Sequence, residues 1–218
     1  GPAAARAVQL PPGADGFVAR ATVYRGEGVD AVVLVHGVGG DQRMWAPLVA
    51  RMRHAWPART VLTVDLRGHG ESVRRPEGTA LRWESLGDTP DGWAATTEDV
   101  AAGVRLLLTE GARRVVLVGA GLGATAALRA AAELPQVRGV AMLSPGLAYQ
   151  GLRVEDAFRA YVASGRPALL WARADDAAAV EGLTALRSIA GTQATAAVLT
   201  DSAARGVALA ADEPARWG

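Results

Sequence analysis

The stretch that decides the fold runs Val115-Val116-Leu117-Val118-Gly119-Ala120-Gly121-Leu122-Gly123-Ala124. Its first four residues are apolar without alternation, as in a strand buried on both faces of a sheet. Three glycines at every second position then allow a turn too tight for ordinary side chains. From Leu122 to Leu134 alanine and leucine dominate with helical spacing. A strand that passes at once into a helix through small residues is the repeating unit of a parallel sheet.

Working outward, the same theme recurs on both sides. Candidate strands lie at Val18 to Tyr24, Ala31 to His36, Thr60 to Asp65, Arg114 to Val118, Gly139 to Leu143, Ala168 to Ala172 and Ala196 to Thr200. Helices are predicted near Gln42 to Arg53, Ala94 to Thr109, Leu122 to Leu134, Val154 to Ser164, Ala177 to Ala190 and Ala203 to Ala211. The alternation predicts an α/β fold, a doubly wound, mostly parallel sheet. Residues 73–92 break the rhythm with charges, Pro76, Pro90 and three glycines. A loop that long is functional more often than idle.

Two further turns carry motifs. His36-Gly37-Val38-Gly39-Gly40 follows the second strand, and Asp65-Leu66-Arg67-Gly68-His69-Gly70-Glu71-Ser72 follows the third. In this order, with the glycine-rich turn after the next strand, the chain resembles the α/β-hydrolase superfamily. Ser144-Pro145-Gly146-Leu147 follows the strand after that as in bacterial dienelactone-hydrolase-like members, which it resembles and several of which look like envelope lipoproteins. The resemblance implies an α/β-hydrolase fold without a large cap domain. It also implies a nucleophile elbow G-x-S-x-G at 119–123, where position 121 is Gly instead of Ser. Pro167 to Asp176 matches the strand and loop that present the triad acid, here Asp176. The loop Asp201-Ser202-Ala203-Ala204-Arg205-Gly206-Val207 matches the one that bears the catalytic histidine, and its matching position is Arg205. The oxyanion hole is expected from the backbone N–H groups of Val38 and Leu122.

The histidines can be checked without any alignment. His36, His54 and His69 all precede the elbow, whereas the resemblance implies a histidine after the acid. His36 and His69 read as turn histidines with their own partners, and His54 as a surface residue at a helix end. A serine attacks an acyl carbon only with an imidazole to take its proton, and the imidazole needs an orienting carboxylate. The expected function is therefore that of a catalytically inactive hydrolase-like protein, acting as a binding, scaffold or accessory module. The alternative is an active serine ester or lactone hydrolase in which Gly121 stands where the nucleophilic serine has been replaced. A third reading is a structural domain that engages a protein partner through the loop at 73–92, with Trp83 and Trp93 as anchors. Arg205 is expected to pair with Asp176 or Asp175 and, with Val38 and Leu122, to offer donors to a small anionic ligand.

Composition narrows the field further. The 218 residues, half of them hydrophobic, suit one core. All 23 basic residues are Arg against 22 acidic ones, so nothing draws the chain to nucleic acid. Val115 to Leu128, as long as any central run without charge, is short of the ~20 apolar residues a membrane span needs. Cysteine is absent, which excludes disulfides and thiolate metal sites. The scattered acids and histidines lack ligand spacing, so neither metal nor cofactor is expected. G-x-G-x-x-A at 119–124 matches a dinucleotide turn, but it follows the fourth strand instead of the first. Absence of Lys and Asn points to a bacterium with a GC-rich genome. Gly1-Pro2 reads as a protease scar and residues 3–16 as a tail, leaving one domain over 18–218. An envelope location is expected if a signal or lipid anchor has been removed, and a cytoplasmic one otherwise.

Overall fold

The computed structural model describes residues 4–89 and 91–199. In chain order the elements are β1 (Ala5–Gln9), β2 (Arg20–Tyr24), β3 (Asp30–Val35), α1 (Ala46–Ala55), β4 (Thr60–Asp65), α2 (Thr96–Thr109), β5 (Arg114–Ala120) and α3 (Leu122–Glu133). There follow β6 (Val137–Leu143), β7 (Ala148–Tyr149), β8 (Leu152–Arg153), α4 (Glu155–Ala163), β9 (Ala168–Arg173), α5 (Ala177–Ala190) and β10 (Ala194–Leu199). Eight strands form one sheet in the order β1-β2-β4-β3-β5-β6-β9-β10. β1 and β2 run antiparallel to their neighbours, and from β4 to β10 every pairing is parallel. A small antiparallel hairpin, β7 with β8, stands apart from it.

Each central strand serves two cores, which is why it reads as an unbroken apolar run. Along β3, Val33 and Val35 face the larger core beneath α2 to α5, while Val32 and Leu34 face the smaller one beneath α1. β9 divides the same way, with Leu170 on the larger side and Leu169 and Trp171 on the smaller. The sheet is thus covered on both faces, and no large cap domain is present among the described residues.

Two expectations need correction. Residues 5–9 are not a tail: they pair antiparallel with β2 from Ala5↔Tyr24 to Gln9↔Arg20, so the domain begins near residue 5 instead of 18. The side chains of β1 are mostly exposed, and backbone pairing defines this edge strand, which therefore leaves no apolar pattern to read. Leu10 and Phe17, both buried, anchor the connection to β2. The stretch 73–92 is also less open than a plain loop. It carries the bridge Arg74↔Ala80 and a 3-10 turn at Trp83–Asp88, and it buries Leu81 and Leu86. Trp93 is buried in the larger core and Trp83 is half-buried against it, so the two do not form an exposed pair. The helix expected at 203–211 lies outside the described residues.

Candidate functional site

The carboxyl ends of β3, β4, β5, β6 and β9 converge on one edge of the sheet, where open α/β sheets bind their ligands. The turn from β5 into α3 is built by exclusion of side chains. A Cβ on Gly119 would lie 2.2 Å from the Gly123 carbonyl oxygen, and one on Gly123 would lie 2.3 Å from that of His36. Neither position accepts any other residue without backbone movement. Gly121 between them has φ 57° and ψ −121°. That conformation is costly for any residue with a side chain. Space is not the constraint there, since a Cβ on Gly121 would meet nothing nearer than 3.8 Å. Leu122 opens α3, so its N–H has no acceptor within the helix, as an oxyanion hole requires.

His36 and His69 are held in the turns they belong to. The His36 ring is fully buried; Nε2 accepts from the Leu66 N–H at 3.0 Å and Nδ1 lies 2.7 Å from the Gly37 carbonyl oxygen. These partners assign the proton to Nδ1 and fix the neutral form. Burial pushes the His36 pKa down to about 4. His69 places Nδ1 3.0 Å from the Arg67 carbonyl oxygen, and its ring stacks on Trp83 with centroids 5.8 Å apart. Burial lowers its pKa too. His54 sits exposed in the last turn of α1.

The motif after β4 is held by buried polar groups. Asp65 accepts from the Gln42 N–H at 2.8 Å, the Gln42 side chain at 2.9 Å and the Glu71 N–H at 2.9 Å, joining the turns after β3 and β4. A Cβ on Gly70 would lie 2.3 Å from that carboxylate, and one on Gly68 would lie 2.6 Å from the Trp83 nitrogen. Arg67 forks onto the buried Asp99 of α2, with Nη2 at 2.9 Å from Oδ1, and also pairs with Asp15.

Across the elbow lies a residue with no counterpart among the sequence expectations. Tyr149 directs its phenol at Gly121: its Cζ is 3.8 Å and its hydroxyl 3.9 Å from where a Cβ on Gly121 would stand. The hydroxyl donates to the Ser144 carbonyl at 2.8 Å. Ser144 itself has φ 49°, a left-handed conformation at the end of β6. Burial, with the charge of Asp176 added, raises the Tyr149 pKa and keeps the phenol protonated. The hairpin that presents it turns through Gln150 (φ 50°) and Gly151 (φ 76°), both left-handed as a two-residue type I′ turn requires. That Gln-Gly pair was the available signal, weak because its strands are only two residues long.

Asp176 stands at the N-terminus of α5, where its side chain accepts from the Ala179 N–H at 3.2 Å. Asp175 beside it accepts from Arg173 Nη2 at 2.6 Å. The structure therefore brings Gly121, Leu122 and Asp176 to one edge, with Tyr149 between elbow and acid. Val38 belongs to the adjoining turn and packs against the larger core. Arg205 lies outside the described residues, as does its expected pairing.

A profile described as the alpha/beta hydrolase family matches residues 32–218. The chain belongs to the alpha/beta hydrolase family. Two curated bacterial proteins are similar to this hydrolase-family chain in sequence. A Mycobacterium tuberculosis protein named Lipase LipV is 31% identical over 145 residues, covering 65% of this chain and 47% of that protein. A pimeloyl-(acyl-carrier protein) methyl ester esterase of Xylella fastidiosa is 36% identical over 114 residues, covering 52% and 36%. The chain thus spans less than half the length of either relative. Among solved structures, an esterase of Pyrococcus furiosus superposes with a TM-score of 0.77 at 16% identity, covering 98% of this chain and 86% of that one. This last likeness concerns the fold. Among the described residues no helix is long and apolar enough to cross a membrane, and no group of three His, Asp or Glu side chains is placed to hold a metal ion.

Proposed function

We propose that this member of the alpha/beta hydrolase family binds a ligand or partner at its elbow without hydrolysing esters there. The observation that carries the reading is the elbow itself, which keeps the turn geometry of a nucleophile site but presents Gly121 to the phenol of Tyr149. A raised phenol pKa disfavours the phenolate, so Tyr149 is a poor substitute nucleophile. None of the three histidines stands as a ready base: His36 has both ring nitrogens engaged, His69 is buried in its own turn with Nε2 unpartnered among the described residues, and His54 is on the surface. Asp176, in the position of the triad acid, would then serve as a helix cap. An intact oxyanion hole alone leaves a small residual acceleration, roughly 10³ to 10⁴ over water in a protease stripped of its triad.

A second reading, an active ester or lactone hydrolase whose nucleophile stands replaced, is favoured by the curated relatives named as a lipase and an esterase. Fold and family are the same under both readings. Turnover of p-nitrophenyl acetate and butyrate separates them. The binding reading expects release equal to a protein blank, whereas release that disappears in Asp176→Asn would establish the hydrolase.

A further inference from the structure

Arg173 is the last residue of β9 and is 7% exposed. Its Nη2 donates to Asp175 at 2.6 Å. Nε and Nη1 are buried and have no hydrogen-bond partner among the described residues. Guanidinium donors removed from water without an acceptor are costly, and native structures rarely keep them so. Arg173 also cannot shed its charge to relieve the cost. Of the buried side-chain atoms that lack a hydrogen-bond partner among the described residues, those of Arg173 are the ones that belong to a charged group.

The register places this group beside the elbow. Ala120 pairs with Leu143 and Leu143 with Trp171, so Gly121, Ser144 and Ala172 stand abreast, with Arg173 one residue further out. Two strand spacings separate β5 from β9, about 10 Å. A ligand of a few heavy atoms anchored at Arg173 reaches toward Gly121 along the carboxyl edge.

We propose that Arg173 anchors a binding site for a small monocarboxylate. Nε–H and Nη1–H lie on different edges of the guanidinium, and a planar carboxylate can take either of them together with the Nη2 hydrogen that Asp175 leaves. Charge selects a monoanion, because Asp175 and Asp176 occupy the same loop and would repel a dianion such as phosphate or sulfate. The site does not depend on whether the elbow hydrolyses esters, since occupancy is read by titration and hydrolysis by turnover.

The test is a thermal-unfolding titration of the whole chain with sodium butyrate, against sodium chloride at equal ionic strength and against butyramide. The native chain is expected to show a saturating rise in Tm with butyrate alone, with little response to phosphate or sulfate. Arg173→Met should lose the rise, and Arg173→Lys should bind at least tenfold more weakly. If Arg173→Met fails to fold, saturation-transfer NMR of butyrate with the native chain and Arg173→Lys supplies the same comparison. Equal Tm in butyrate and chloride, an equal response to butyramide, or undiminished affinity in the Arg173 variants would overturn the proposal.

Discussion

Gly121 and Gly123 show how one turn imposes two different demands. At Gly123 the demand is space: a Cβ would meet two carbonyl oxygens at 2.3 and 2.4 Å, so Gly123→Ala should lower stability by more than about 3 kcal/mol in urea unfolding. At Gly121 the demand is backbone conformation, and Gly121→Ala should cost only about 1 to 3 kcal/mol and still fold. Equal losses at the two sites would contradict this distinction. Tyr149→Phe removes one partly buried hydrogen bond to Ser144 and should cost about 1 kcal/mol. His36 gives a pH signature. With its folded pKa near 4 and an unfolded value near 6.5, only the unfolded chain takes up the proton between those limits. Stability from this group is complete above about pH 6.5 and falls as the pH drops toward 4, by up to about 3 kcal/mol. Comparison with His36→Gln, whose amide oxygen can accept from Leu66, isolates the effect, because carboxylates titrating in the same range cancel in the difference. Parallel pH profiles of the two proteins would refute the assignment.

Among the elements, α2 and the turn after β4 are joined by a buried ion pair. Asp99→Asn leaves the Arg67 guanidinium without its charged partner inside the protein, and a loss of about 3 kcal/mol or more is expected in guanidinium unfolding. Asp15, half-exposed, still pairs with Arg67 and sets the loss at the lower end of what such breaks cost. A loss under about 1 kcal/mol would show that the pair does not hold the turn. Elements that bury side chains on a regular period were legible in the chain: β3, β4, β5 and α5 lie at or within two residues of where apolar runs and helical spacing put them. Elements defined by backbone alone were not. β1 exposes most of its side chains, and β7 and β8 are too short to show a period. The same limit applied at the site. Glycine spacing announced the elbow, because a turn without room for a Cβ leaves a mark in composition. Arg173 left none and Tyr149 only the weak Gln-Gly turn beside it, since a tyrosine or an arginine acquires its role only from what the fold sets beside it.

For the whole molecule, the mostly parallel eight-stranded sheet and its flanking helices are those of the alpha/beta hydrolase family, while the residue at the turn after β5 is Gly121. The fold needs the glycines and the buried Asp65 and Arg67, which serve packing and backbone satisfaction whether or not chemistry follows. Under the proposed binding reading a serine hydroxyl at position 121 would serve only attack, and glycine there avoids the strain that a side chain would bring. The most direct measurement is steady-state hydrolysis of p-nitrophenyl butyrate by Gly121→Ser, with folding confirmed by its unfolding transition. Supplying the hydroxyl without a base should leave release at the level of a protein blank, since an unassisted serine is a weak nucleophile. Sustained turnover by this single variant would show that the chain already holds a working base beside Asp176, and that it is a hydrolase lacking only its nucleophile.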